Sequence, residues 1–188
     1  MASLFLGGLA HLLRDPRQLP LIAFNLFLVF LTGLAMAQLP RVALAQGTPE
    51  ALYGLVPAAW SLGETLGYLL SGRMGSVPGV MAALGLRLLG LALILLPFPF
   101  LVLGVLVHGV GLALGAVHLA SLRQRLAPPA LLGRTVAGAN ALLLLGGFLG
   151  TLVAGGIGQN PLTPVRAALA LGVLLIPTGL WALKSVGR

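Results

Sequence analysis

Apolar stretches of helix-spanning length fill most of this chain and limit what it can fold into. Of its 188 residues, 59% are hydrophobic and only 7% are charged, whereas a soluble domain carries about 25% charged residues. A chain so poor in charge cannot cover a water-facing surface. The lipid bilayer is therefore its predicted surrounding, and each crossing of the hydrocarbon core takes roughly 20 helical residues.

Six segments meet this length requirement. They are residues 19–39, 51–72, 79–96, 100–122, 136–157 and 164–183. No strand alternation long enough for a barrel occurs, so helices are the expected spans. The predicted fold class is an all-α polytopic membrane protein with six transmembrane helices. Residues 1–18 form a cytoplasmic surface helix and linker, and residues 19–188 form the transmembrane domain.

The basic residues predict the orientation of these spans. Alternating loops place eight basic residues on one side, namely Arg14, Arg17, Arg73, Arg123, Arg125, Arg134, Lys184 and Arg188. Arg41 and Arg166 fall on the other side. The richer side is expected to be cytoplasmic. Both termini are therefore predicted on the cytoplasmic side of the plasma membrane, here a bacterial inner membrane. Because these residues sit between apolar runs and form no continuous patch, no nucleic-acid partner is predicted.

The composition argues against an enzyme. The chain has no cysteine, which removes thiolate catalysis and cysteine metal sites. Asp15 is the sole aspartate, and no glycine-lysine phosphate loop or strand-led dinucleotide motif occurs. No cofactor and no metal are expected.

Glu64 is the sharpest functional signal. It lies nine residues from Arg73, hence roughly 13 Å deep in the second span, where an acid costs about 3 kcal/mol and usually faces a partner or cavity. Ser61, Tyr68 and Ser71 share its helix face. Arg87 lies inside the next span at a similar depth, so we predict that Glu64 and Arg87 approach each other. The pair is either a buried ion pair that fixes packing or a proton-coupling or substrate-binding site.

Other polar residues within the spans are weaker candidates. His108 in the fourth span is either a hydrogen-bonded interior residue or a cavity residue. Asn25 and Thr32 share a face of the first span, and Asn140, Gly147 and Thr151 share a face of the fifth. Such side chains bridge helices more often than they bind a substrate.

Three glycine pairs have the spacing that allows helices to pack closely. They are Gly63 and Gly67, Gly111 and Gly115, and Gly146 and Gly150. Helix packing is the expected role of all six.

The loop before the fifth span carries a recognisable pattern. Arg125 precedes Pro128-Pro129 and Gly133-Arg134, and a small-residue helix ending in Ala154-Gly155-Gly156 follows. Tyr53-Gly54-Leu55 opens the second span, and Leu70-Ser71-Gly72-Arg73 closes it. In this order the motifs resemble the carboxyl-terminal six-helix half of major facilitator superfamily transporters, over nearly the whole chain. The amino-terminal half of that family, with its signature loop, has no counterpart here.

The resemblance implies secondary transport of a small solute, with efflux of amphipathic or drug-like compounds as one form of it. It also implies that the spans carrying the first and third glycine pairs pack against another half, and that the fourth span lines the path. A second copy in a homodimer or a separate amino-terminal half would complete the transporter. The alternative is a non-transporting membrane subunit, or a truncated transporter fragment, with a structural role.

Overall fold

The computed structural model describes the backbone of residues 2–157 and 159–186 and the side chains from Gly7 onward within those ranges. Met1, Gly158, Gly187 and Arg188, which the predicted domain bounds and charge distribution include, lie outside the described residues. The helices are α1 (Ala2–Arg14), α2 (Gln18–Met36), α3 (Leu39–Ala45), α4 (Leu55–Ser71), α5 (Ser76–Ile94), α6 (Phe100–Leu126), α7 (Leu132–Gly156), α8 (Leu162–Leu174) and α9 (Ile176–Val186). Short 3-10 turns precede α4 (Glu50–Leu52) and α7 (Pro129–Leu131), and no strand occurs in these ranges.

Four of the described helices, α2, α5, α6 and α7, are long and apolar enough to cross a membrane. A fifth span results if α8 and α9 count as one, although they are bent by 45° where they meet. Pro177 lies in the first turn of α9 and lacks the N–H that would continue the α8 hydrogen-bond ladder. The protein is thus an all-helical chain of the kind that dissolves in a bilayer.

The second predicted span differs most from the structure. Residues 50–52 form a 3-10 turn and the helix begins at Leu55, so α4 has 17 residues where 51–72 was expected. At 1.5 Å per residue this is about 25 Å, slightly less than the hydrocarbon thickness of about 30 Å. The structure therefore shows four or five apolar spans in its described ranges. A sixth span, as predicted, requires that the shorter helix α4 also crosses the membrane.

The bundle is built from helix pairs. α6 lies between α4 and α5, α2 packs along α7, and α8 and α9 pack against α2. The short α1 packs on α7, and its predicted place at the cytoplasmic membrane surface stays a prediction. Leu12 of α1 is buried in a small cluster with Ile22 and Ala139.

Glycines allow the close approach within these pairs. A Cβ on Gly63 would lie 2.2 Å from the carbonyl oxygen of Leu106, and one on Gly67 would lie 2.5 Å from that of Val110. These contacts join α4 to α6.

The third glycine pair acts in the same way on α7. A Cβ on Gly150 would lie 2.1 Å from the carbonyl oxygen of Phe30 on α2, and Gly146 faces Leu26. Both the first and the third pair therefore pack inside this chain and not, as expected, against another half. Gly111 and Gly115 of the second pair face Ala83 of α5.

Side-chain amides fasten the end of the bundle around α3. Gln46 Nε2 donates to the carbonyl oxygen of Ile94 at 3.0 Å, which ties the end of α3 to the end of α5. Gln38 Nε2 donates to the carbonyl oxygen of Ala154 at 3.3 Å, which ties the start of α3 to α7. These bonds tie α3 to α5 and α7 at one end of the bundle.

Candidate functional site: a groove beside α2

Helix α4 carries three different faces. Its glycine face, described above, is buried against α6. An exposed leucine face consists of Leu55, Leu62, Leu66 and Leu69. Between them runs a face that begins with Tyr53, Pro57 and Trp60 and continues one turn later with Ser61, Glu64 and Tyr68. The part of this face near the start of α4 is mostly apolar, and the next turn carries the polar side chains.

A cavity of about 480 Å³ lies where this third face meets α2 and α3. Pro57 and Trp60 line it from α4, Tyr53 lines it from the turn before α4, and Met36 and Leu39 line it from the other side. Glu64 follows Trp60 by four residues, so its side chain lies on the same side of α4, one turn further from the start of the helix.

A second cavity, also of about 480 Å³, lies between α2 and α7. Val29 lines it from α2, and Asn140, Leu144 and Gly147 line it from α7. Val29 and Met36 are seven residues apart and so share a face of α2. The first cavity, beside α4, and the second, beside α7, therefore both adjoin one face of α2, and they share no lining residue. We call these two cavities together the central groove.

Glu64 is half-buried and lies on the groove side of α4, one turn beyond Trp60, but it lines neither of the two cavities. The predicted approach of Glu64 and Arg87 is not found, since no ion pair joins them in the part of the chain that the structure describes. The reason is the position of α6 between α4 and α5, which separates the two side chains by a helix. A hairpin connection had suggested direct neighbours, but the glycines favour packing of both helices on α6.

Arg87 is buried between α5 and α2. Its Nη2 donates to the backbone carbonyl oxygen of Leu28 and to the hydroxyl of Thr32. The Thr32 hydroxyl in turn donates to Leu28 O at 3.1 Å. The charge is thus held by α2 oxygens rather than by a carboxylate. Asn25, which shares this face of α2, is buried, whereas Thr32 is only partly buried.

His108 is an interior residue of α6, with 1% of its surface exposed. Its Nδ1 lies 3.1 Å from the carbonyl oxygen of Arg87. The ring of Trp60 lies on its other side, with centroids 5.9 Å apart. Trp60 therefore separates His108 from the cavity of α4, and His108 itself lines none of the cavities described here. This geometry matches the interior role more closely than the cavity role.

The loop motif lies at the exposed start of α7. Arg125, Pro128, Pro129, Gly133 and Arg134 are all exposed. The two prolines form the junction at which α6 ends and the 3-10 turn leads into α7. Arg134 lies against Gly8 of α1. The motif shapes a helix connection, and none of its five residues contributes to the central groove.

Arg123 is a buried residue that the sequence reasoning did not single out. It is 7% exposed, and its Nη1, shielded from solvent, has no hydrogen-bond partner among the described residues. It lines a pocket of about 30 Å³ between the end of α6 and the start of α7, together with Gln124, Leu132, Thr135 and Asn140. The arginine had been counted only as a loop charge, because no sequence pattern distinguishes it from the exposed Arg125.

No group of three or more histidine, aspartate or glutamate side chains is close enough to hold a metal ion within the ranges that the structure covers. No known protein family, curated protein or solved structure matches the chain in comparisons of each kind. The function therefore has to be argued from the groove itself.

Proposed function

We propose that this chain forms one half of a secondary transport path of major facilitator type, in which a small solute moves along the central groove. A second copy of the chain, or a separate partner half, closes the open side. Both termini lie on the cytoplasmic side of the plasma membrane in this arrangement, and α4 counts as the sixth span.

The observation that carries this proposal is the position of Glu64. It is a half-buried carboxylate in an apolar helix, on the groove side and opposite the exposed leucines of α4. A carboxylate facing lipid tails would cost about 3 kcal/mol. A water-filled path or a polar partner surface removes that cost. Asn140 adds a polar group to the second cavity, and Ser61 lies on the same face of α4 as Glu64.

Transport also needs a site that two halves can close around. The two cavities of the groove are partly open, and their lining residues come from α2, α3, α4, α7 and the turn before α4. This geometry supports a partner half as part of the function.

Single-cysteine labelling tests whether the groove holds water. The chain has no cysteine of its own, so each introduced thiol is the only reactive one. Ser61→Cys lies on the groove side of α4, the face that carries Glu64, while Leu62→Cys lies about 1.5 Å further along the same helix on the leucine face. Asn140→Cys and the exposed Ala141→Cys form the corresponding pair on α7.

In proteoliposomes, a small charged thiol reagent is expected to label Ser61→Cys and Asn140→Cys and to spare their two neighbours. All four must label after denaturation, which shows equal intrinsic reactivity. Equal labelling within each pair in the native protein would overturn the proposal. A pattern with no native labelling would assign the chain to a structural subunit instead.

The mass of the particle in nanodiscs tests whether a second copy of the chain closes the groove. After subtraction of lipid and belt protein, we expect two copies per particle. A strict monomer would exclude the homodimer and require a separate partner half.

A further inference from the structure

The pocket between the end of α6 and the start of α7 adjoins the second cavity of the central groove. Asn140 lines both this small pocket and the larger cavity beside Val29. An occupant of the small pocket therefore lies directly beside whatever occupies the groove.

The pocket is built around an unsatisfied cation. The Arg123 residue is only 7% exposed, and its Nη1 atom donates to no described group. A buried guanidinium with an open donor is costly unless an anion or another acceptor completes it.

No acidic side chain of the described residues serves as a counter-ion at this place. The chain has three acidic residues in all. Asp15 is engaged with Arg17, Glu50 lies in the turn that precedes α4, and Glu64 lies on α4. No ion pair to Arg123 forms in the described ranges.

Two further features suit a negative ligand. Leu132 and Thr135 line the pocket from the first turn of α7, a 25-residue helix whose amino-terminal dipole end favours negative charge. The Asn140 amide adds a possible N–H donor. The volume of about 30 Å³ admits one or two water-sized groups, which sets the size of the ligand.

We infer that this pocket binds one small anionic group at the end of the central groove, through the Arg123 guanidinium, with Asn140 beside it. The group is a free ion of halide or formate size or the carboxylate end of a solute that extends into the groove. The binding site stands on its own observations. Only its connection to solute movement rests on the proposed function.

Thermal unfolding of the purified full chain in detergent tests the inference without any transport assay. Chloride or formate replaces gluconate at constant ionic strength, because gluconate is too large for the pocket. An ion that binds only the folded state raises the unfolding midpoint in proportion to the logarithm of its concentration. We expect this rise in the wild type and at least about a tenfold weaker apparent affinity in Arg123→Gln.

Arg125→Gln is the matched control. Arg125 lies two residues from Arg123 and carries the same charge, but its side chain is exposed. The variant is expected to keep the wild-type response. If Arg123→Gln fails to fold, Ala120→Leu serves instead. It fills the pocket from a partly exposed lining position and leaves every charge in place.

No response in the wild type would overturn the inference, as would an equal response in Arg123→Gln or Ala120→Leu. Longer carboxylates then distinguish a free ion from the carboxylate end of a longer solute. If butyrate stabilises the wild type as strongly as formate, the pocket receives the end of a longer solute. If only chloride and formate act, the ligand is a free ion. Either result leaves the labelling test of the groove unaffected.

Discussion

The Nδ1 atom of His108 lies 3.1 Å from the backbone carbonyl oxygen of Arg87, which joins the middle of α6 to the middle of α5. Because a carbonyl oxygen only accepts, Nδ1 carries the proton in this bond. The opposite atom, Nε2, is buried without a partner among the described residues. With Trp60 packed on its ring, His108 connects α4, α5 and α6.

This geometry predicts that His108→Leu is tolerated. The variant loses one hydrogen bond, worth about 1 kcal/mol, and also removes the buried unpaired Nε2. We expect its free energy of unfolding, measured by SDS titration in mixed micelles, to stay within about 1 kcal/mol of the wild type. His108→Ala leaves a cavity and is expected to cost about 2–4 kcal/mol. An equal cost for both variants would contradict the interior role.

Close packing of α4 on α6 predicts a strong position effect for alanine. Gly63→Ala places a Cβ 2.2 Å from the carbonyl oxygen of Leu106, whereas Gly85→Ala meets nothing within 4 Å. We expect Gly63→Ala to destabilise the fold by about 1–3 kcal/mol. Gly85→Ala should be neutral or stabilise by up to about 1 kcal/mol, since alanine favours the helix. The same SDS titration measures both, and equal stability of the two variants would refute the packing.

The bond between Arg87 and Thr32 predicts that replacing Thr32 costs more stability than replacing Arg87. Thr32→Val leaves the buried guanidinium with only the Leu28 carbonyl, which should cost about 1–3 kcal/mol. Arg87→Met removes the charge and leaves the bond from Thr32 to Leu28 intact, so it should cost less or be neutral.

A double-mutant cycle measures this coupling. In the Arg87→Met background, Thr32→Val is expected to cost less than about 1 kcal/mol, because no charge remains to be satisfied. Additive effects would show that the two side chains do not interact. Loss of transport in a stable Arg87→Met protein would instead assign Arg87 a functional role.

The sequence predicted helices well and their neighbours poorly. Apolar length alone indicates α2, α5, α6 and α7, because no other structure satisfies the backbone in lipid. Apolar length does not show which residues Arg87 contacts. Chain order suggested that α4 and α5 pack together, whereas the glycines on both helices bring each of them to α6.

The glycine spacing showed a close contact but not its partner. Gly146 and Gly150 have the same pattern whether they face another protein or α2, and only the three-dimensional structure shows that α2 takes this face. Arg123 could not be recognised for a similar reason. Its burial depends on how α6 and α7 converge, and nothing in the local sequence separates it from Arg125.

The charge distribution predicts the orientation of the loops. Ala130→Cys lies in the exposed arginine-rich connection of α6 and α7, and Glu50→Cys lies in the exposed turn before α4. In intact cells, an impermeant maleimide should label Glu50→Cys, and Ala130→Cys should label only after permeabilisation, because basic loops stay inside. The reverse pattern would invert the proposed topology.

Replacement of Glu64 by glutamine tests whether its charge drives transport. Glu64→Gln keeps the shape of the side chain but cannot exchange a proton. In proteoliposomes that hold a pH-sensitive dye and a proton gradient, a carried solute should collapse the gradient in the wild type and leave it intact in Glu64→Gln. Glu50→Gln is the control, since it changes an exposed carboxylate outside the helices and should behave as the wild type. Wild-type proton movement by Glu64→Gln at every pH would exclude coupling through this residue, and Glu64 would then act in solute binding or in contact with the partner half.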